Sequence, residues 1–528
     1  MKKRQVNIGP DPLNTMWRLR VIRFEMSKPY RLLVTLVGLC FLGGGLLLAM
    51  SSGVWHRIGH DLFSLKPANF ANTTLAPYPV KVGPDGRYLV DQDGKPFMMV
   101  GDSSWGLIGD LSTADADQYF SNRAALGFNS VLIALAVSNY AGSTLGYETF
   151  DGLPPFIGGT AISPGPITAP YEPYWERVDA MIKLAAKHNL NVIAYPMETG
   201  GWLATMQAAG VEKCRRYGEF VGNRYKKFPN IVWAFGNDYN QTSWSVSSTD
   251  AVVRAVADGI LSRDKHHLVT IELGNSAKSN QSFGQSSSTD DKRWWSVLNL
   301  NWGYSYLPTY ATAELDWRDS SIPIMPYVMG ESGYESETWS GVEGTPKTCR
   351  LENWDSIVGG GLAGVIYGNH YIWFFASGLW QENLNTAGAI QSGYVRAFFE
   401  SINWQDLKPD YLHKFCTAGY GTEFEQLTSP STQNSSGKSY ISVDGYAPAM
   451  ITGDGTLGIV YVQNTTTLTL DLSKMSAKVT AKWYDPTNNS YLPIGEYDHS
   501  GTVRFTSPAA NSAGDEDFVL LLTTKNGG

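Results

Sequence analysis

At 528 residues, with 43% hydrophobic and 17% charged positions, the chain is too long for one ordinary core and too apolar for disorder. A net charge of −8, with no dense basic patch beyond the N-terminus, argues against nucleic acid as a partner. Cys40, Cys214, Cys349 and Cys416 show no CxxC spacing, so neither a zinc site nor a disulfide framework is indicated, and one disulfide among the last three stays open.

The chain begins with a basic leader: Lys2, Lys3, Arg4, Arg18, Arg20, Arg23, Lys28 and Arg31 against only Asp11 and Glu25. Residues 32–50, LLVTLVGLCFLGGGLLLAM, then supply nineteen positions without a charge. Such a run is about enough to cross ~30 Å of hydrocarbon. The charge asymmetry keeps residues 1–31 cytoplasmic and exports the chain beyond residue 50. An uncleaved anchor is the expected reading. A signal cleaved near the AMS at 49–51, after initiation at Met26, is the alternative. Residues 51–76 read as a stalk.

From residue 77 the pattern is that of a folded domain. PDG and QDG turns in YPVKVGPDGRYLVDQDGKPFMMVGD mark a hairpin that leads into an apolar strand. Strands and amphipathic helices then alternate. The helix TADADQYFSNRAALG is expected to be capped by Thr113 and ended by Gly127. FNSVLIAL, LNVIAYPME, NIVWAFGND, HLVTIEL, SVLNLNWGYS, IPIMPYVMGES and LAGVIYGNH continue the strand series, making eight with FMMVGD. Near-continuous apolar strands separated by amphipathic helices indicate a parallel sheet covered by helices. Eight units predict a (β/α)8 barrel over 77–416. The competing open sheet lacks its Gly-rich phosphate loop after the first strand. From 417 to 528 short alternating strands with Gly, Asn, Asp and Pro turns predict an antiparallel β-sandwich.

In such a barrel, residues just past the C-terminal strand ends line the site. They are Asp102 and Trp105, Glu198, Asn237 and Asp238, Asn301 and Tyr304, Glu331, then His370 and Trp373. Carboxylates, amides and aromatics dominate, without the clustered His and Cys of a catalytic metal site. Asp238 and Glu331 close two apolar strands at one rim, the arrangement that glycoside hydrolysis needs: one protonated carboxyl for the leaving oxygen, one carboxylate below the anomeric carbon. Asp102 reads either as a ligand of a sugar hydroxyl or as a turn former. Glu198 is expected to face substrate, with a salt bridge as the other option. His370 and Trp373 read as subsite walls, Tyr304 as a hydroxyl that orients the nucleophile or as core.

GRYLVDQDGKPFMMVGDSSW, PNIVWAFGNDYN, MPYVMGESGYE and GLAGVIYGNHYIW resemble, in order and spacing, the apiosidase-like glycoside hydrolases over residues 78–525. That family is similar to clan A retaining hydrolases and is commonly followed by a small sandwich labelled as collagen-binding. The resemblance implies Asp238 as acid/base, Glu331 as nucleophile, Asn237 as a contact to the sugar 2-hydroxyl, and an apiose-type pentofuranoside in a polysaccharide as substrate. Two departures stand out. Gly236-Asn237-Asp238 replaces the usual Gly-Gly-Asp, and residues 136–173 form a long Gly-, Pro- and Tyr-rich loop after the second strand. No cofactor is expected, and the partners are an oligo- or polysaccharide and a membrane. Three alternatives remain: a non-catalytic glycan-binding surface protein, an inverting hydrolase, and a peptidase that would lack any metal or Ser/His motif here.

Overall fold

The computed structural model describes residues 65–68, 78–140, 146–240, 243, 245–274, 277–279, 296–306, 308–320, 323–339, 342–423 and 445–525. The basic leader, the 32–50 span and most of the stalk lie outside them. No helix among the described residues is long and apolar enough to cross a membrane. Of the stalk, residues 65–68 pack on the barrel: Ala68 is buried, and the Tyr394 hydroxyl donates to the Lys66 carbonyl at 2.6 Å.

Eight parallel strands form the first sheet: β1 Met99–Ser103, β2 Ser130–Ala134, β3 Asn191–Tyr195, β4 Ile231–Tyr239, β5 Leu268–Leu273, β6 Asn301–Tyr304, β7 Tyr327–Glu331 and β8 Gly364–Tyr367. Their order is β5-β4-β3-β2-β1-β8-β7-β6, with residues 277–278 antiparallel on β6. Between β5 and β6 the ring closes without a ladder: the Asn299 and Leu300 N–H groups donate to the Val269 carbonyl at 3.1 and 3.3 Å. The result is a nearly closed (β/α)8 barrel. Helices α1 Thr113–Leu126, α2 Glu172–Lys187, α3 Thr199–Ala209, α4 Val211–Tyr225, α5 Ser247–Arg263, α6 Thr309–Arg318, α7 Pro346–Val358 and α8 Ala387–Glu400 surround it. The N-cap of α1 is Ser112 rather than Thr113: its hydroxyl accepts the Asp115 N–H at 3.1 Å, while Gly127 ends the helix in the left-handed region at φ 100°.

The strands read as unbroken apolar runs because both of their faces are buried. Leu132, Ile193, Val232, Leu268, Trp302, Val328 and Ile366 fill the barrel interior. Their neighbours Val131, Val192, Trp233 and Val269 pack outward under the helices. This period of two decides where every polar residue on a strand points.

The C-terminal part is antiparallel. Strands β9 Leu407–Pro409, β11 Ala449–Thr452, β12 Leu457–Val462, β17 Phe518–Thr523, β14 Val479–Asp485 and β15 Ser490–Tyr497 make a six-stranded sheet in that order. A three-stranded sheet of β10 Cys416–Ala418, β13 Thr467–Asp471 and β16 Thr502–Thr506 faces it, and one core holds Leu468, Leu470 and Phe505 against Val460, Leu520 and Leu522. Cys214, Cys349 and Cys416 are free and buried.

Candidate active site

Strand β4 does not simply stop. Gly236, Asn237 and Asp238 all have positive φ, at 86°, 82° and 46°, and the ladder to β5 jumps from Gly236↔Glu272 to Tyr239↔Leu273. Two residues are thus extruded as a bulge, which re-aims the Asp238 side chain. A Cβ on Gly236 would lie 2.0 Å from the Glu272 carbonyl oxygen, so that position admits only glycine. Asn and Asp are the non-glycine residues that best tolerate left-handed backbone. The Thr199 hydroxyl locks the bulge by donating to the Asn237 carbonyl.

Asp238 meets Glu331 from β7 and a third acid, Glu272 from β5. One carboxylate oxygen of each lies within 4.8 Å of the others. Strand ends alone do not reveal Glu272, because it stands one residue before the end of an apolar strand. Periodicity does place it: Leu268 faces inward, and Glu272 lies four residues on along the same face. The Tyr195 hydroxyl donates to Glu272 Oε2, and the Asp238 N–H donates to Glu272 Oε1 at 3.2 Å. Asp238 Oδ2 accepts the Tyr140 hydroxyl at 2.7 Å. Glu331 Oε1 accepts the Tyr334 hydroxyl at 3.0 Å, and that hydroxyl accepts Trp105 Nε1–H at 3.0 Å. Trp105 in turn packs on Tyr195, ring centroids 4.6 Å apart.

Among the described residues, no cationic side chain pairs with any of the three acids. Burial pushes all three carboxyls above their ordinary range. For Asp238 burial is the main cause, opposed by the Tyr140 hydrogen bond. Glu272 is pushed up to about 7, chiefly by burial, with the charge of Asp238 adding. Glu331 is raised by burial first and then by the charges of Glu272 and Asp238. Oxygen donors of this kind suit a hard divalent cation such as magnesium or calcium, so these three residues are also the ones that could hold such an ion.

The other rim residues divide. Asp102 alternates with Met99 and Gly101 on β1, faces the helix layer and is wholly buried in an ion pair with Arg123 of α1, joined by the Tyr119 hydroxyl at 2.7 Å. It is a structural anion, neither a sugar ligand nor a turn former. Asn301 opens β6 instead of following it. Its neighbour Trp302 takes the inward position, and its amide donates to Asp316 of α6, so Asn301 is likewise outside the mouth. Glu198 precedes α3 with no exposed surface. Its Oε1 accepts the Ser138 hydroxyl, and burial pushes it up to about 8, so it neither faces substrate nor makes a salt bridge. Tyr304 closes β6 opposite Glu331 in register, but its hydroxyl pairs with Tyr306 at 2.7 Å; the hydroxyl that holds Glu331 is that of Tyr334. Trp373 is half-buried against the barrel interior, and its carbonyl accepts the Gly106 N–H at 2.8 Å. His370 packs against Tyr371 and Phe374, and burial lowers its basicity.

The long loop after β2 delivers Tyr140. Its ring lies on Gly200, where a Cβ would come within 2.1 Å of it, and it remains 42% exposed above Asp238. An exposed aromatic face beside a buried acid is a surface on which a sugar ring can stack.

The family profile described as "Apiosidase-like, catalytic domain" matches residues 83–406, more than half of the chain. A second, described as "Putative collagen-binding domain of a collagenase", matches 442–523. A solved structure titled "Glycoside hydrolase" superposes with a TM-score of 0.66 at 23% identity, covering 86% of this chain and 99% of that one. A glycoside hydrolase family 5 protein from Bacteroides vulgatus superposes at 0.67 with 22% identity, over 86% and 96%. At such identities these two share the fold. None of the curated proteins matches the chain.

Proposed function

As a member of the apiosidase-like family the chain is a glycoside hydrolase, and we propose that it is a retaining enzyme with Asp238 as acid/base and Glu331 as nucleophile. The observation that carries this reading is the approach of their carboxylate oxygens to within 4.8 Å at the barrel mouth. Retaining pairs stand about 5–5.5 Å apart, whereas inverting pairs need ~6.5–9.5 Å to admit a water between acid and sugar.

Burial raises the Asp238 carboxyl, which favours the protonated form that gives its proton to the leaving oxygen. As the glycosidic C–O bond breaks, Glu331 forms an ester to the anomeric carbon, held on its other side by Tyr334. Asp238, now anionic, takes a proton from water, whose oxygen displaces Glu331 and restores the starting state. Tyr140 keeps the Asp238 carboxyl in place through both steps and offers its ring to the leaving group.

Apiose or a related pentofuranose in a polysaccharide is the sugar this reading assigns, on the family likeness. The basic leader and uncharged run at 32–50 support an exported, membrane-anchored placement. Proton NMR of the first-formed product from an aryl β-apiofuranoside tests the chemistry. The β-anomer is expected first; an initial α-anomer would make the enzyme inverting. Detergent extraction and protease accessibility of intact cells test the placement, and recovery in the cytosolic fraction would refute it.

A further inference from the structure

Asp238 reaches the barrel mouth on an extruded bulge, and a proton donor is effective only when held in one orientation. Resting on the assignment of Asp238 as acid/base, we propose that the first turn of α3, Glu198-Thr199-Gly200-Gly201, is a cradle of positioning residues for it. The turn fixes Asp238 from two sides: at its carboxyl through Ser138 and Tyr140, and at its backbone through Asn237.

Each residue of the turn has a separate task. Glu198 stands at the N-cap, where a short side-chain oxygen ordinarily accepts a helix N–H, but it makes no such bond. It turns instead to the loop after β2 and accepts the Ser138 hydroxyl at Oε1. That hydroxyl has a single proton. With the proton committed to Glu198, a lone pair of Ser138 Oγ accepts the Tyr140 N–H at 3.0 Å. The Tyr140 hydroxyl then donates to Asp238 Oδ2 at 2.7 Å. The second route is shorter: the Thr199 hydroxyl donates to the Asn237 carbonyl, one residue before the acid. The two glycines make room for the first route. A Cβ on Gly201 would fall 2.1 Å from Ser138 Oγ and 2.7 Å from Glu198 Oε1, and one on Gly200 would fall 2.1 Å from the Tyr140 ring. Neither glycine has a left-handed backbone, so close approach alone demands them.

Tyr140 needs this support. It stays 42% exposed on a long loop, and a free side chain there would give up rotamer freedom each time it met Asp238. Ser138 and Glu198 have no exposed surface, so the bond between them is shielded from water and anchors the base of the loop. The Tyr147 hydroxyl, farther along the same loop, adds a bond to the Gly201 carbonyl at 3.2 Å. With Tyr140 on Oδ2, Asp238 Oδ1 is the oxygen left to carry the transferred proton. In glycosylation that proton passes from Oδ1 to the leaving oxygen as the glycosidic bond breaks. In deglycosylation Oδ1 takes one back from water, and Tyr140 keeps its own proton through both steps.

The test is kcat/KM on a series of aryl β-apiofuranosides whose phenols leave with increasing difficulty, because a misplaced acid discriminates against the poor ones. Ser138→Ala should lose about fivefold on the poorest leaving group, the worth of one hydrogen bond, and far less on dinitrophenol. In a Tyr140→Phe background the same substitution should cost nothing further, because the relay already ends there. Thr199→Val, which acts through the backbone, should lose about fivefold on the poorest leaving group in either background. A Ser138→Ala effect that is equal across the series, or that persists undiminished after Tyr140→Phe, would overturn the proposal and leave Ser138 and Glu198 as packing. Should Ser138→Ala misfold by thermal melting, Thr199→Val decides, and an effect equal across the series sinks the idea. Failure of the underlying assignment looks different: Asp238→Ala itself would then show no selectivity against poor leaving groups.

Discussion

Two buried clusters of acids in this molecule have opposite chemistry. At the barrel–sandwich seam Asp517 has no exposed surface, yet Arg350 of α7 binds it through Nε at 3.0 Å and Nη2 at 2.8 Å and reaches Asp515 at 2.6 Å. Asn511 and Tyr461 add donors at 3.0 and 3.1 Å. At the barrel mouth Glu272 is enclosed as well and Asp238 and Glu331 are half-buried, but their partners are tyrosine hydroxyls and one backbone N–H. Burial is common to both clusters. At the seam a guanidinium gives the carboxylate a fixed cationic partner, whereas at the mouth the donors are neutral. The cationic partner, more than depth, is what distinguishes the seam acids from the pair proposed to be catalytic.

Exchanging residues between the two situations sharpens the contrast. The largest effect is expected for Glu331→Gln, which should lower kcat by ~10³-fold or more while the melting temperature holds. Binding of the intact glycoside, measured by calorimetry, should survive. Asp238→Ala should slow poor leaving groups most, and added azide should restore turnover as a glycosyl azide of unchanged configuration.

At the seam the outcome should reverse. Arg350→Met leaves Asp517 buried and uncompensated, so denaturant unfolding should show about 3–5 kcal/mol of lost stability, with kcat per folded molecule unchanged. Loss of activity without loss of stability would erase the distinction.

Glu198 lies between the two cases, buried beside a serine and pushed up to about 8. Its ordinary value applies in the unfolded chain, which therefore sheds the proton first as pH rises. Stability attached to this group is full in acid and is lost as pH climbs from the usual glutamate range through about 8. Glu198→Gln should raise the melting temperature more at pH ~8 than at pH ~5, and equal gains at both would refute the assignment. The smallest effect is expected for Tyr140→Phe. Removing this donor raises Asp238 further, so the alkaline limb should shift slightly upward with at most about a tenfold loss of rate.

Much of this is legible in the sequence. Two apolar strands that end on Asn237-Asp238 and on Glu331 announce a barrel rim and an acid pair, and the turn chemistry after 417 announces the antiparallel part. Treating every strand end as the mouth is what misleads. Side chains alternate, so Asp102 and Asn301, one position off the inward face, turn to Arg123 and Asp316, while Glu272 turns inward. Counting from an apolar residue on each strand separates the two groups. Tyr140 and Tyr334 are harder to see. The first comes from a loop whose length alone marks it, and the second stands three residues past Glu331, where only tertiary geometry brings its hydroxyl back.

The left-handed run at Gly236, Asn237 and Asp238 limits which sequences can occupy this corner of the fold. Only a handful of amino acids accept such dihedrals without strain. A saturation library across these codons should return glycine at the first, and asparagine, glycine or aspartate at the second. Even the ordinary Asp-to-Glu exchange at 238 asks a longer side chain to adopt an unfavourable backbone, so the reach of the acid at this corner is set by main-chain conformation before any ligand imposes a demand.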